Sequence, residues 1–171
     1  FVTFVFDAPP WGLGGVLYER GVLTAYFFSI LTSWDVTRFR HAIGDAAGQQ
    51  TWDLLAALVG LRLWPSKWAG RKCRISVKGD NISALGAVLK LKAPPGNGRF
   101  IARELSPKYT DKTYEPDVVS HIPGVSNKFA DTLSRKFEPS RRFSLPSELT
   151  NALCCTPPVR TPSYYKSDAH A

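Results

Sequence analysis

Four aspartates lie where a folded chain could use their carboxylates for chemistry. Asp7 ends an apolar run at the start of the sequence, and Asp80 follows a second run in which apolar residues alternate. Asp53 and Asp131 fall within stretches whose apolar residues recur at helical spacing. Carboxylates gathered in one place repel each other, and some take up protons unless a cation is present. Two Mg²⁺ ions about 4 Å apart remove this repulsion, activate a water molecule and stabilise the leaving oxygen of a phosphodiester.

Each aspartate also has an ordinary structural interpretation. Asp7 can begin a turn, and Asp80 can cap the helix that follows it, because Asp is common at both places. Asp53 can be an exposed acid on a wide amphipathic helix, and Asp131 can be a surface acid. Each aspartate is a weak indication by itself, so the hypothesis of a metal site rests on their joint placement.

Three antiparallel strands are the first elements that must position these residues. Residues 1–6 are almost wholly apolar, β-branched or aromatic, which is typical of a buried central strand. Two prolines prevent this strand from continuing past residue 8, and the glycine-rich stretch 12–15 permits a tight reversal. Arg20-Gly21 then predicts a hairpin turn between strands over 13–19 and 22–30.

A long helix is predicted over residues 46–64, where leucines recur at helical spacing and a proline follows. Asp45 is the expected N-cap, and residues 31–44 are expected to form a connecting loop. Asp53 shares one face of this helix with small residues at the i+3, i+4 and i+7 positions. Small residues let a helix lie close to a sheet, and a carboxylate on such a face requires a partner.

Strands and helices alternate in the second half of the chain. Strands are predicted over residues 71–78 and 117–122, and helices over residues 82–91, 100–105 and 127–135. Three strands in a meander followed by alternating elements indicate an α/β fold. We expect a mixed five-stranded sheet with helices on both faces.

The composition is typical of one basic globular domain. A chain of 171 residues can bury a sizeable core, and its formal charge of +8 favours a polyanionic partner, nucleic acid before a membrane surface. No run approaches the roughly 18 apolar residues that span a bilayer. Because the chain contains no methionine, we expect it to be a fragment of a longer polypeptide.

The cysteines and histidines argue against a disulfide-rich protein and against a zinc protein. Of the three cysteines, Cys154 and Cys155 are adjacent and poorly placed to bridge each other, so a reducing, intracellular setting is expected. The three histidines are widely separated and lack zinc-ligand spacing. Over residues 136–171, prolines mixed with serine, threonine and arginine predict a flexible tail or linker.

Four blocks of sequence carry a resemblance to a known family. They are residues 6–17 around Asp7, residues 50–56 around Asp53, residues 79–85 around Asp80 and residues 121–135 around Asp131, the last being the most specific. Residues 1–135, which contain these blocks, resemble the ribonuclease H domain of retrotransposon reverse transcriptases, most closely that of gypsy-like and related elements.

The resemblance implies a ribonuclease H-like fold and hydrolysis of the RNA strand of RNA–DNA hybrids with two Mg²⁺ ions, for which Mn²⁺ can substitute. It implies that Asp7 bridges the metals, that Asp80 joins it, and that Asp131 completes one metal site. Asp53 departs from the pattern, because the family usually has Glu there. The shorter side chain withdraws the carboxylate by roughly 1 Å, which leaves reduced activity or a changed metal preference as alternatives.

The resemblance also implies roles outside the carboxylates. His121 precedes Asp131 by ten residues, as the active-site histidine of cellular ribonucleases H precedes their last aspartate. It is a candidate for shuttling a proton or helping product leave, and the alternative is a strand-end histidine with a structural hydrogen bond. Hybrid binding would be mainly to the backbone, although any cation named for it can instead be plain solvated charge. The candidate contacts are Lys78, Asn81, Lys90, Lys92, Arg99, Arg103 and Asn127.

The partners implied are an RNA–DNA hybrid and the polymerase domain of the same polyprotein, in the cytoplasm, the nucleus or a retroelement particle, with no membrane. Two alternatives stay open. The first is an impaired domain that binds nucleic acid without cutting it, which Asp53 favours. The second is another metal nuclease or an integrase on the same fold. That class carries its last acid, usually Glu, on a different helical arrangement, so the block 127–135 argues against it.

Overall fold

A mixed β-sheet forms the centre of the molecule. The computed structural model describes residues 2–45, 48–64, 67, 72–77, 115–120, 125–161 and 164. Within these ranges the sheet has six strands, in the spatial order β5-β4-β1-β2-β3-β6. The strands are β1 (Val2–Asp7), β2 (Gly12–Glu19), β3 (Val22–Ile30), β4 (Lys72–Val77), β5 (Glu115–Ser120) and β6 (Leu153–Cys154).

The strand directions agree with the prediction of a mixed sheet. The first three strands pair antiparallel in a meander. β4 then pairs parallel with β1, and β5 pairs parallel with β4. All five predicted strands are therefore present in the described residues. The sheet differs from the expected five-stranded one because the short β6, which the sequence did not predict, pairs parallel with β3.

The hairpin between β2 and β3 confirms the prediction at Arg20-Gly21. Both residues have positive φ angles, 54° at Arg20 and 78° at Gly21. Two consecutive left-handed residues are typical of the type I′ turn, whose twist matches that of the flanking strands. This turn also fixes the register in which Glu19 lies opposite Val22.

Two helices cover opposite faces of the sheet, as predicted. Side chains alternate along a strand, so Phe4 and Phe6 point to one face and Val5 points to the other. Helix α2 (Gln49–Leu63) packs with Phe4 and Phe6 in one buried cluster. A second buried cluster contains Val5 together with residues of a helix over Val125–Ser134, here α3.

The long predicted helix exists as α2, but its beginning differs from the prediction. Gly48 occupies the N-cap position without a side-chain cap, and Asp45 lies three residues earlier, where its carbonyl accepts a hydrogen bond from the Gly48 N–H at 3.2 Å. Residues 51–61 are buried on every side of the helix. A helix that is buried on every side lies in the protein interior, so its one carboxylate, Asp53, is buried with it.

A short helix, α1 (Ser33–Phe39), lies where the sequence analysis expected only a connecting loop. Its N-cap is Thr32, whose hydroxyl accepts a hydrogen bond from the backbone N–H of Asp35 while the Asp35 carboxylate accepts one from the backbone N–H of Thr32. This reciprocal arrangement is a capping box, in which Asp takes the place of the usual Glu or Gln. The prediction was wrong because the apolar residues of this helix are too few to show a periodicity.

Residues 136–161 differ from the flexible tail or linker expected over 136–171, because they pack against the domain. A 3₁₀ turn over Ser147–Leu149 buries Leu149 in the cluster beneath α3. β6 then adds to the edge of β3, and Arg160 is buried farther along the chain. The division of the chain at residue 135 stays a prediction.

The structure leaves two predicted helices, over residues 82–91 and 100–105, outside the described residues. In the part of the chain that is described, no helix is both long and apolar enough to cross a membrane.

Candidate functional site

Asp7 is a buried carboxylate at the end of the central strand. It is the last residue of β1 and only 3% exposed. Its Oδ1 accepts a hydrogen bond from the backbone N–H of Ala8 at 2.9 Å. Pro9 and Pro10 follow, and the ring of each removes the backbone donor that a continuing strand would need. The sequence thus ends the strand at the carboxylate, as predicted.

A glycine in β2 allows α3 to approach the sheet closely beside Asp7. Gly14 is the pairing partner of Asp7 in the neighbouring strand. A Cβ at Gly14 would lie 2.5 Å from the backbone nitrogen of Ser134 and 2.8 Å from the carbonyl oxygen of Ala130. No side chain fits in that space, so the backbone of α3 lies directly against the sheet. Asp131, which follows Ala130, is carried to the same end of the sheet.

Asp131 forms an ion pair with Arg135 one helical turn later. The Nε of Arg135 lies 2.7 Å from Oδ1 of Asp131, and its Nη1 lies 3.3 Å from Oε1 of Glu138. The hydrogen bond to Asp131 is the main cause that raises the pKa of Arg135. The negative charges of Asp131, Glu138 and Asp7 raise it further. Asp7 and Asp131 therefore act electrostatically on one guanidinium group.

Asp53 is buried on the helix that covers the other face of the sheet. Its exposed fraction is 2%. Seven residues later, Gly60 lies against Phe4 so closely that a Cβ would overlap the aromatic ring. The small residues near Asp53 thus permit the close helix–sheet packing that the sequence predicted.

Two contacts show how far along the strand direction Asp53 lies: that of Gly44 with Pro10, and that of Gly60 with Phe4. The N–H of Gly44, which precedes α2, donates a hydrogen bond to the carbonyl of Pro10 at 2.8 Å, so α2 begins near the end of β1. From Gly60 back to Asp53 the helix covers about 10 Å. From Phe4 on to Asp7 the strand covers about 10 Å in the same direction. Asp53 and Asp7 are therefore about level with each other.

The structure describes the surroundings of three of the four predicted carboxylates. It brings Asp7 and Asp131 to one face of the sheet end and places Asp53 at the same level on the opposite helix. Within the described ranges, no three His, Cys, Asp or Glu side chains form a group that could hold a metal ion. Asp80, which follows the last residue of β4 by three positions, lies outside those ranges, as does His121.

The donor chemistry of the described carboxylates fits a hard divalent cation. Asp7 and Asp53 supply carboxylate oxygens, the ligands that Mg²⁺ and Mn²⁺ prefer. Both are almost fully buried, and burial of an ionised carboxylate is costly unless a cation or hydrogen bonds compensate its charge.

Most of the predicted nucleic-acid contacts lie outside the described residues. These are Lys78, Asn81, Lys90, Lys92, Arg99 and Arg103. The backbone of Asn127 belongs to the first turn of α3. Arg135 and Lys136 were missed as candidate residues by the sequence analysis. The spacing of Arg135 four residues after Asp131 is a signal that could have indicated it, because oppositely charged residues at that spacing meet on a helix.

No protein-family model matches the chain, and no curated protein is similar enough to match it. The fold and the placement of the carboxylates are therefore the features of this chain that bear on its function.

Proposed function

We propose that the chain is a metal-dependent endonuclease that hydrolyses the RNA strand of RNA–DNA hybrids as part of a retroelement reverse transcriptase. The observation that carries the proposal is the pair Asp7 and Asp131. Asp7 is buried at the end of the central strand. Helix α3 packs directly against Gly14 of β2 and so carries Asp131 to the same end of the sheet.

The architecture supports the same proposal. The resemblance implies a ribonuclease H-like fold in which an antiparallel meander precedes alternating helices and strands. The observed meander of β1, β2 and β3, the parallel additions of β4 and β5, and the helices on both faces agree with that expectation.

In the proposed site, Asp7, Asp53, Asp80 and Asp131 hold two Mg²⁺ ions, with Mn²⁺ as the alternative metal. When bound, such ions supply activation of a water molecule and stabilisation of the leaving oxygen. The chain itself orients the carboxylates of Asp7 and Asp131. The Ala8 N–H holds one oxygen of Asp7, and the Arg135 guanidinium holds one oxygen of Asp131.

The proposed partners follow from charge and from the resemblance. A formal charge of +8 favours a polyanion. The proposed substrate is an RNA–DNA hybrid, and the proposed neighbour is the polymerase domain of the same polyprotein in a cytoplasmic, nuclear or particle setting. His121 remains the candidate for proton transfer.

A second candidate function is a nucleic-acid binding module with an impaired site. The specific observation is Asp53, which stands where the resemblance implies Glu and is almost fully buried on α2. A shorter side chain fixed by packing cannot extend toward a metal, and displacements of roughly 1 Å affect catalysis.

Cleavage of an end-labelled RNA–DNA hybrid, in Mg²⁺ and separately in Mn²⁺, tests the proposal. We expect cutting of the RNA strand alone, loss of cutting when the metal is chelated, and a decrease of at least about a hundredfold in Asp7→Asn. The matched control is Asp45→Asn, which changes an exposed aspartate.

The variant Asp53→Glu separates the two candidate functions. Cutting by Asp53→Glu but not by the wild-type chain would establish the impaired binding module. If neither chain cuts in either metal, the nuclease proposal is wrong for this chain.

A further inference from the structure

Lys136 lies among three phenylalanine rings just beyond the end of α3. Its Nζ is 4.4 Å from the ring centroid of Phe143, 4.7 Å from that of Phe28 and 6.0 Å from that of Phe137. The centroid of Phe28 is 6.2 Å from each of the other two centroids. We call these four residues the ring cluster. An ammonium group within about 6 Å of a ring face is attracted by the negative face of the ring.

Lys136 contacts aromatic rings, whereas the neighbouring Arg135 and Arg141 form ion pairs with carboxylates. Arg135 pairs with Asp131 and Glu138, and Arg141 pairs with Glu138. Among the described residues, Lys136 forms no ion pair with a carboxylate, and its Nζ contacts rings. Rings position an ammonium without neutralising its charge. The cluster therefore holds a half-buried cation in place while its charge stays available to an external anion.

The ring cluster lies in line with Asp7 across the sheet. Gly14 pairs with Asp7 on one side and with Phe28 on the other, so the three residues form one row. Residues in such a row point to the same face. Two strand spacings separate the Cα atoms of Asp7 and Phe28 by about 10 Å. A nucleic-acid strand in a duplex advances that distance in about three nucleotides.

We propose that the ring cluster presents Lys136 to a backbone phosphate of the nucleic-acid strand that lies at Asp7. The inference deepens the proposed function, because it assumes that the strand to be cut lies at the Asp7 end of the sheet. Arg142 is exposed and directly precedes Phe143, so it adds positive charge beside the cluster. Among the described residues, no carboxylate pairs with Lys136. A phosphate fits this surface because it brings the negative charge that Lys136 lacks as a partner.

The test is binding of a fluorescently labelled RNA–DNA hybrid, measured by anisotropy without divalent metal over a series of salt concentrations. Log K falls linearly as log salt rises, and removing one phosphate contact makes this fall less steep by about 0.7–0.9. The same change weakens binding roughly tenfold. We expect this result for Lys136→Gln. We expect Lys136→Arg, which retains the charge, to keep the wild-type slope.

Arg20→Gln is the matched control, because it removes the same charge at the β2–β3 hairpin, far from Asp7 along the strands. Unfolding midpoints of all variants establish that each is folded. A Lys136→Gln slope equal to that of Arg20→Gln would overturn the inference and leave the nuclease proposal standing. Failure of the wild-type chain to bind hybrid at all would overturn both.

Discussion

Arg160 and Asp35 show how a single pair of residues joins distant parts of the chain. The guanidinium Nε lies 2.9 Å from Oδ1 of Asp35, and Nη2 lies 2.9 Å from Oδ2. The remaining donors reach the Ser29 hydroxyl at 2.9 Å and the Ile30 carbonyl at 2.7 Å. Arg160 is 1% exposed and Asp35 is fully buried. Such a pair contributes little net stability compared with apolar residues, but removal of one partner leaves a buried charge behind.

Arg160→Met should therefore lower the free energy of unfolding by about 3–5 kcal/mol, because the carboxylate of Asp35 stays buried without its cation. Urea unfolding followed by tryptophan fluorescence measures the change. Arg141→Met is the control, since the pair between Arg141 and Glu138 is exposed and is expected to contribute at most about 1 kcal/mol. Equal effects of the two substitutions would contradict the argument.

At the scale of elements, the contact between β2 and α3 decides whether the candidate carboxylates meet. The antiparallel pairing of β1 with β2 places Gly14 opposite Asp7, and the absence of a side chain there lets the α3 backbone lie on the sheet. Helix α2 reaches the opposite face in a similar way, with Gly60 against the Phe4 ring. The spacing between each helix and the sheet is thus set by a residue without a side chain.

Gly14→Ala should move α3 away from β2, because the new Cβ would lie 2.5 Å from a backbone nitrogen, which cannot rotate aside. We expect a loss of about 1–3 kcal/mol in the free energy of unfolding. We also expect a loss of hybrid cleavage that exceeds the loss of folded protein, because Asp131 moves with its helix.

The control for this change is Gly21→Asn at the hairpin, where a Cβ meets no atom within 4 Å and where Asn tolerates the positive φ angle. Its effect on stability should stay below about 1 kcal/mol. Unchanged stability and cleavage in Gly14→Ala would mean that the close approach of α3 is not needed.

At the scale of the whole molecule, the segment after α3 crosses from one face of the sheet to the other. Leu149 is buried on the α3 face, and β6 pairs with the edge of β3. Cys155 then accepts a hydrogen bond from the indole N–H of Trp64 at 3.3 Å, and the carbonyl of Tyr164 accepts one from Arg62 at 2.6 Å. β6 also covers part of a strand edge that would otherwise be open to pairing with another chain.

A chain that ends at residue 146 should be less stable by at least about 3 kcal/mol than one that ends at residue 164, because Asp35 loses Arg160. The shorter chain should also associate more readily, because the edge of β3 is uncovered. Urea unfolding and light scattering measure the two effects. Equal stability of the two chains would show that the segment contributes nothing to the domain.

Much of the fold could be predicted from the sequence because its signals are local. The apolar run before Asp7, the Arg20-Gly21 turn and the leucine spacing of α2 each predicted an element that the structure contains. These patterns operate over a few residues, so the periodicity of the side chains determines the type of element. The positions of Asp7, Asp53 and Asp131 at element ends or on helices follow from the same patterns.

Only the tertiary structure decided which distant residues meet. Arg160 lies 125 residues from Asp35 in the chain, and a lone arginine among prolines gives no sign of a buried partner. The ring cluster combines Phe28 with residues that follow α3, and no local pattern joins them. The physical reason is that such contacts depend on strand order and on the paths between elements. Those are settled by packing of the whole chain, whereas propensity and periodicity act only on neighbouring residues.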